Sequence, residues 1–180
     1  MNAENFQELL KSHNACNDAK KWAKGKSWQE AFETCHRGDW LLWLYKKVHP
    51  ENLRELTLAK GYCAATVLHL MTDQRSKDAV KAAIDFGNGE INREELGAAD
   101  AAAADAAAAD DTAAAYAAYA AADAYAYAAY AAYAAAADAA DAAYAAAAAD
   151  AADAAAAKIK NQLKTANICR KYLPFEIWNI

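Results

Sequence analysis

The run Ser27-Trp28-Gln29-Glu30-Ala31-Phe32-Glu33-Thr34-Cys35-His36-Arg37-Gly38-Asp39-Trp40-Leu41-Leu42-Trp43-Leu44 carries the reading of the fold. Ser27 followed three residues later by Glu30 fits a reciprocal helix start, in which each side chain serves the other residue's free amide. The helix it opens is predicted to run to about Arg37 and to stop at Gly38, a residue suited to the left-handed position beyond a helix end. Asp39 is then predicted to cap a second helix, carrying Trp40-Leu41-Leu42-Trp43-Leu44 and closing at Pro50. Similar punctuation extends on both sides. Phe6, Leu9 and Leu10 mark an amphipathic turn or two near residue 1. From Asn52 to Met71, Leu53, Leu56, Cys63, Val67 and Leu70 recur near helical spacing, with Leu68 close by. A further helix should follow Thr72-Asp73, carry Val80, Ala83 and Ile84, and break at Gly87-Asn88-Gly89. Asn92-Arg93-Glu94-Glu95 is another start with a Glu three residues on. Every one of these elements is helical. With only two prolines and six glycines in 180 residues, turn-rich all-β folds are disfavoured, and an all-α helical bundle is expected.

Charge divides the chain, read as a single helical domain over 1–180, into three parts. Residues 1–97 balance fourteen basic against fourteen acidic side chains. Residues 98–157 hold nine Asp, seven Tyr, one Thr and forty-three Ala, with no Lys or Arg. Residues 158–180 are basic, with five Lys or Arg against Glu176. Alanine has the best intrinsic helix propensity, so the low-complexity tract is expected to be helical rather than disordered. Spaced at about 100° per residue, Tyr116, Tyr119, Tyr127, Tyr130, Tyr133 and Tyr144 fall within an arc of roughly 120°, with Tyr125 opposite. That stripe serves either core packing or a ligand- or partner-binding surface. One straight helix of this length would reach roughly 90 Å, against a radius of gyration of about 16 Å for a compact chain of this size. The tract is therefore expected to fold back, with Asp110-Asp111-Thr112 the best break, or to form a long bent rod. Long alanine-rich helices would then pack closely on the short N-terminal ones. The apolar end, Leu173-Pro174-Phe175-Glu176-Ile177-Trp178-Asn179-Ile180, is expected to dock on the core or on a second subunit. A homo-oligomer is the expectation if the tyrosine stripe or this end stays uncovered.

Several chemistries are disfavoured. No long run of large apolar residues suggests a membrane span, and the polar start does not resemble a secretory signal. Cytoplasm, or the cytoplasm of a host cell, is the expected compartment. Cys16, Cys35, Cys63 and Cys169 are expected to be reduced thiols on helices rather than a disulfide set. His13 with Cys16, and Cys35 with His36, do not make a zinc spacing, and no cofactor is expected. Residues 84–95 match only the second half of a calcium-binding loop: the first and third ligand positions would be Ile84 and Phe86, so a helix–turn–helix is the simpler reading. No phosphate-cradling glycine loop occurs. The acidic tract would repel nucleic acid and attract a basic protein surface. An ice-binding role lacks the regularly spaced threonines.

The densest cluster is His36-Arg37-Gly38-Asp39-Trp40-Leu41-Leu42-Trp43. Trp40 and Trp43 share a helix face, either as core anchors or as walls of a pocket for a planar, nucleotide-like ligand with His36, Arg37 and Asp39 at its rim. Gly38-Asp39-Trp40-Leu41-Leu42-Trp43, then Glu94-Glu95-Leu96 opening the Ala/Asp/Tyr tract, then Cys169-Arg170-Lys171-Tyr172-Leu173-Pro174, resembles an alanine-rich immunity-protein family, the immunity-five-like group of bacteria and some bacteriophages. The resemblance spans nearly the whole chain. It implies an all-helical, non-enzymatic protein acting in toxin–immunity or phage–host conflict, and it brings no set of binding residues with it. The expected role is a binding protein that neutralises its target by occupying it. The target is expected to be a basic protein or, alternatively, a small aromatic or nucleotide-like ligand. A purely structural helical protein is the third reading.

Overall fold

The computed structural model describes residues 1–71, 74–107 and 151–180. The seven tyrosines of the alanine tract, Tyr116, Tyr119, Tyr127 and Tyr130 among them, lie outside the described residues, as do the break at residues 110–112 and the choice between folded-back helices and a rod. Among the described residues every regular element is helical, as expected for an all-α chain. In chain order these are α1 (Ala3–Ser12), α2 (Asn17–Trp22), α3 (Trp28–Thr34), α4 (Gly38–Val48), α5 (Leu53–Ala65), α6 (Gln74–Asn88), α7 (Arg93–Ala107) and α8 (Ala151–Tyr172). Short 3-10 turns cover Leu68–Leu70 and Phe175–Ile177. The helices α7 and α8 are the flanks of the alanine tract.

Both predicted reciprocal starts form. The Glu30 amide donates to Ser27 Oγ at 3.2 Å while the Ser27 amide donates to Glu30 Oε2 at 2.8 Å. At α7 the Glu95 amide donates to Asn92 Oδ1 at 3.0 Å, and the Asn92 amide to Glu95 Oε2 at 2.8 Å. The α6 break is equally local. Gly89 takes φ +81°, its amide donates to the Phe86 carbonyl, and the Glu90 amide donates to the Asp85 carbonyl. This is the paired closure of a helix whose last carbonyls would otherwise be unpaired. Asn14, with φ 58°, closes α1 in the same way through the Ala15 amide and the Leu10 carbonyl.

The boundary between α3 and α4 differs from expectation. Helix α3 stops at Thr34, and Cys35 leaves it in extended backbone. Gly38 is the first residue of α4 and not a left-handed terminator. Its requirement is space: a Cβ there would lie 2.6–2.8 Å from Thr165 of α8, including its carbonyl carbon. Asp39 does not cap α4 either, because the cap position falls on Arg37, which makes no side-chain capping bond. Farther along, α5 ends at Ala65, short of the helical run read to Met71; its extension is the 3-10 turn.

Helix α8 packs across α4 and α5, and α5, α6 and α7 stack in succession. The α4–α8–α5 crossing is built from small side chains. Cys63 and Cys169, both buried and free, place their sulfurs 3.9 Å apart, and Cys169 Sγ donates to the Gly38 carbonyl at 3.5 Å. Small groups at a crossing allow backbones to approach to the low end of the usual interaxial range. Farther along, Tyr62 of α5 stacks flat on Tyr172 of α8, with ring centroids 4.2 Å apart.

The main core takes in this crossing and extends to an aromatic cluster. Trp178 is fully buried against Trp28, Phe32 and Tyr45, with centroids 4.7, 5.9 and 5.0 Å away. Its indole Nε1 donates to the Leu173 carbonyl at 2.9 Å. His49 Nε2–H donates to the Trp178 carbonyl, closing the end of α4 over the apolar segment. That segment therefore docks within its own chain. Two arginines finish helices that are not their own. Arg170 of α8 donates to the Phe32 and Cys35 carbonyls at the end of α3. Arg54 of α5 donates to the Phe86 carbonyl near the end of α6. Cations at helix C-termini also meet the negative end of the helix dipole.

Candidate functional site

The short helices α1, α2 and α3 close over one face of α4 incompletely, leaving a cleft of about 490 Å³. The opening follows from local geometry. Two tight turns, at Asn14 and at Gly25 with φ +78°, separate helices of ten, six and seven residues.

Four tryptophans contribute to the walls: Trp22 from α2, Trp28 from α3, and Trp40 and Trp43 from α4. Trp28 is 2% exposed and is shared with the main core. The other three are half-buried, as expected of rings that face both core and opening. Trp22 and Trp40 meet at 5.7 Å between centroids. The polar groups of the lining are Asp18 at the start of α2, Cys16 at its cap, and the pair Arg37–Asp39.

Arg37 and Asp39 form a fork. Arg37 Nε and Nη2 donate to the two carboxylate oxygens of Asp39 at 2.8 and 2.6 Å. The guanidinium lies over the Trp40 ring, 4.9 Å from its centroid. Asp39 is 7% exposed and sits in the first turn of α4, where the helix dipole favours an anion. A bidentate guanidinium–carboxylate pair holds both planes in fixed orientation, so Trp40 is held on one side of the cleft by a rigid support.

Of the five residues expected at the Gly-Asp-Trp cluster, Arg37, Asp39, Trp40 and Trp43 line the cleft. His36 does not; it is exposed and lies 6.0 Å from both Trp22, edge-on, and Trp40, tilted. The other expected binding residues, Tyr116, Tyr119, Tyr127 and Tyr130, lie outside the described residues. Trp22, Asp18 and Cys16 were not anticipated as lining residues. Their signal is present only in part: Cys16 accepts the Ala19 amide as the cap of α2, and an isolated Cys-Asn-Asp is a weak helix start on paper.

Cys35 lies at the back of the cleft. Burial pushes its thiol up to about 11, and its Sγ donates to the Arg37 carbonyl at 3.3 Å. It is thus a protonated packing group at neutral pH, not a nucleophile. Cys16 is the exposed cysteine, while Cys35, Cys63 and Cys169 are buried. Among the described residues no three His, Cys, Asp or Glu side chains are grouped so as to hold a metal ion, and no helix is long and apolar enough to cross a membrane. No protein-family model matches the chain, and no curated protein and no solved structure is significantly similar to it.

Proposed function

We propose that this chain is a non-enzymatic binding protein that sequesters its target, and that the tryptophan-walled cleft between α1–α3 and α4 is where a planar, largely apolar ligand is held. The observation that carries the reading is the combination of an open volume of about 490 Å³ with aromatic walls and a rigid Arg37–Asp39 support. Ligand pockets run from about 300 to 1,000 Å³ and pair apolar walls with a few fixed polar groups. The resemblance to alanine-rich immunity proteins sets such sequestration in toxin–immunity or phage–host conflict, in the cytoplasm of a bacterium or host.

The exposed thiol of Cys16 provides the test. Bound ligand should raise the melting temperature in a panel of nucleotides and flat aromatic compounds, quench tryptophan fluorescence, and slow alkylation of Cys16 by iodoacetamide. If no compound in the panel does any of these, the cleft is not a ligand site.

A second reading rests on a different observation, the nine carboxylates without a single Lys or Arg across residues 98–157. Such a charge block favours capture of a basic protein, with opposite charge mainly accelerating association. On that reading a pulled-down partner is basic, and its association rate falls steeply as salt is raised from low ionic strength.

A further inference from the structure

We infer that the cleft selects a flat aromatic amine in its ammonium form over neutral or anionic compounds of the same shape. This rests on the cleft being a ligand site and assigns the chemistry of what it takes.

The argument is one of unspent hydrogen-bonding capacity. Among the described residues lining the cleft, Arg37 is the one cation, and its Nε and Nη2 are already engaged by Asp39. The lining therefore offers little to a phosphate or carboxylate. Its acceptors are another matter. The exposed Asp18 carboxylate has no ion-pair or hydrogen-bond partner among the described residues, and each Asp39 oxygen accepts a single bond from Arg37, leaving lone pairs directed elsewhere. Two carboxylates against one arginine leave the lining with one net negative charge.

The aromatic walls favour the same choice. A cation over a tryptophan face is attracted by the ring quadrupole, and two of these rings already carry one: Arg37 over Trp40, and Lys26 over Trp22 at 5.3 Å. Trp43, half-buried and part of the lining, has no ring or cation contact among the described residues and is the wall ring left for a bound ammonium. Lys26 and the neighbouring Lys20, Lys21 and Lys24 are not part of the lining. Lys26, over the Trp22 ring, opposes a cation at that wall, and salt screens this repulsion as it does the long-range pull of the exposed Asp18; the short charge-assisted ammonium–carboxylate hydrogen bond is the stronger contact.

Three compounds of one shape separate the possibilities: 1-naphthylmethylamine, 1-naphthylmethanol and 1-naphthoate, titrated into the full-length protein by calorimetry and followed by melting temperature. The ammonium compound should bind about tenfold or more tightly than the naphthoate, and more tightly than the alcohol. Asp18→Asn, at an exposed position outside the core, should weaken the amine by about three- to tenfold and the alcohol by clearly less. Equal binding of the alcohol, tighter binding of the naphthoate, or an amine affinity untouched by Asp18→Asn overturns the inference and leaves the cleft as a ligand site. Failure of all three compounds to bind or to shift the melting temperature overturns the cleft assignment itself.

Discussion

Glycine has two opposite meanings in this chain. At Gly38 the missing Cβ lets α4 lie against the backbone of Thr165, and at Gly87 the same absence admits Leu58, whose Cβ would be 2.5 Å from an added methyl group. At Gly97, inside α7, an added Cβ meets nothing within 4 Å. Gly38→Ala should therefore destabilise the protein by about 1–3 kcal/mol through overpacking. Gly97→Ala should stabilise it by about 0.5–1 kcal/mol through helix propensity. Urea titrations of the two variants check both signs. From sequence, Gly38 was legible as a boundary but not as a contact, because a residue in sequence position 165 decides its role. The Arg37–Asp39 fork was hidden for a related reason. Asp39 beside a helix start suggests a cap, and only the actual beginning of α4 one residue earlier turns its carboxylate toward Arg37.

The starts of α3 and α7 were readable because their chemistry lies within three residues. Ser27 with Glu30 and Asn92 with Glu95 each contain donor, acceptor and spacing in four consecutive positions. The same closeness makes α3 sensitive to acid. Hydrogen bonds from the Ser27 backbone and side chain hold the Glu30 carboxyl below its ordinary value of 4.5. Because the folded value is the lower one, this contribution is present above 4.5 and is lost as pH falls through the folded value. Melting temperature should accordingly fall in acid, and Glu30→Gln, with no proton to take up, should lose less over the same interval; equal slopes would show the cap to be without weight. Helix ends were harder to read. The end of α3 depends on Arg170, more than a hundred residues away along the chain, and no local pattern around Thr34 announces it. The cleft was legible in the same proportion. Its α4 wall follows from the Gly-Asp-Trp cluster, whereas the wall from α2 depends on where two turns aim a six-residue helix.

The whole molecule is a sequence-distant closure. Helix α8 and the segment after it return to α3 and α4, so the aromatic core is completed by residues from both sides of the alanine tract. Trp178→Ala should cost about 3–5 kcal/mol, the range for emptying a buried aromatic site. A chain ending at Leu173 should bind a hydrophobic dye and melt at much lower temperature; if it stays folded with unchanged mass by light scattering, the docked segment contributes little. The apolar character of that segment made its docking legible, but not its place, because any exposed aromatic surface could have received it.

That closure also has a cost during synthesis. His49 and the Trp178 carbonyl that it holds are 129 residues apart. A ribosome adding about 5–20 residues per second needs on the order of ten seconds to deliver the second after the first. For that interval Trp28, Phe32 and Tyr45 stand uncovered on a nascent chain, and the low-hydrophobicity alanine tract emerging between them offers little large apolar area to shield them. A cell making this protein in quantity should therefore find it among the early clients of the chaperones that bind chains at the tunnel exit.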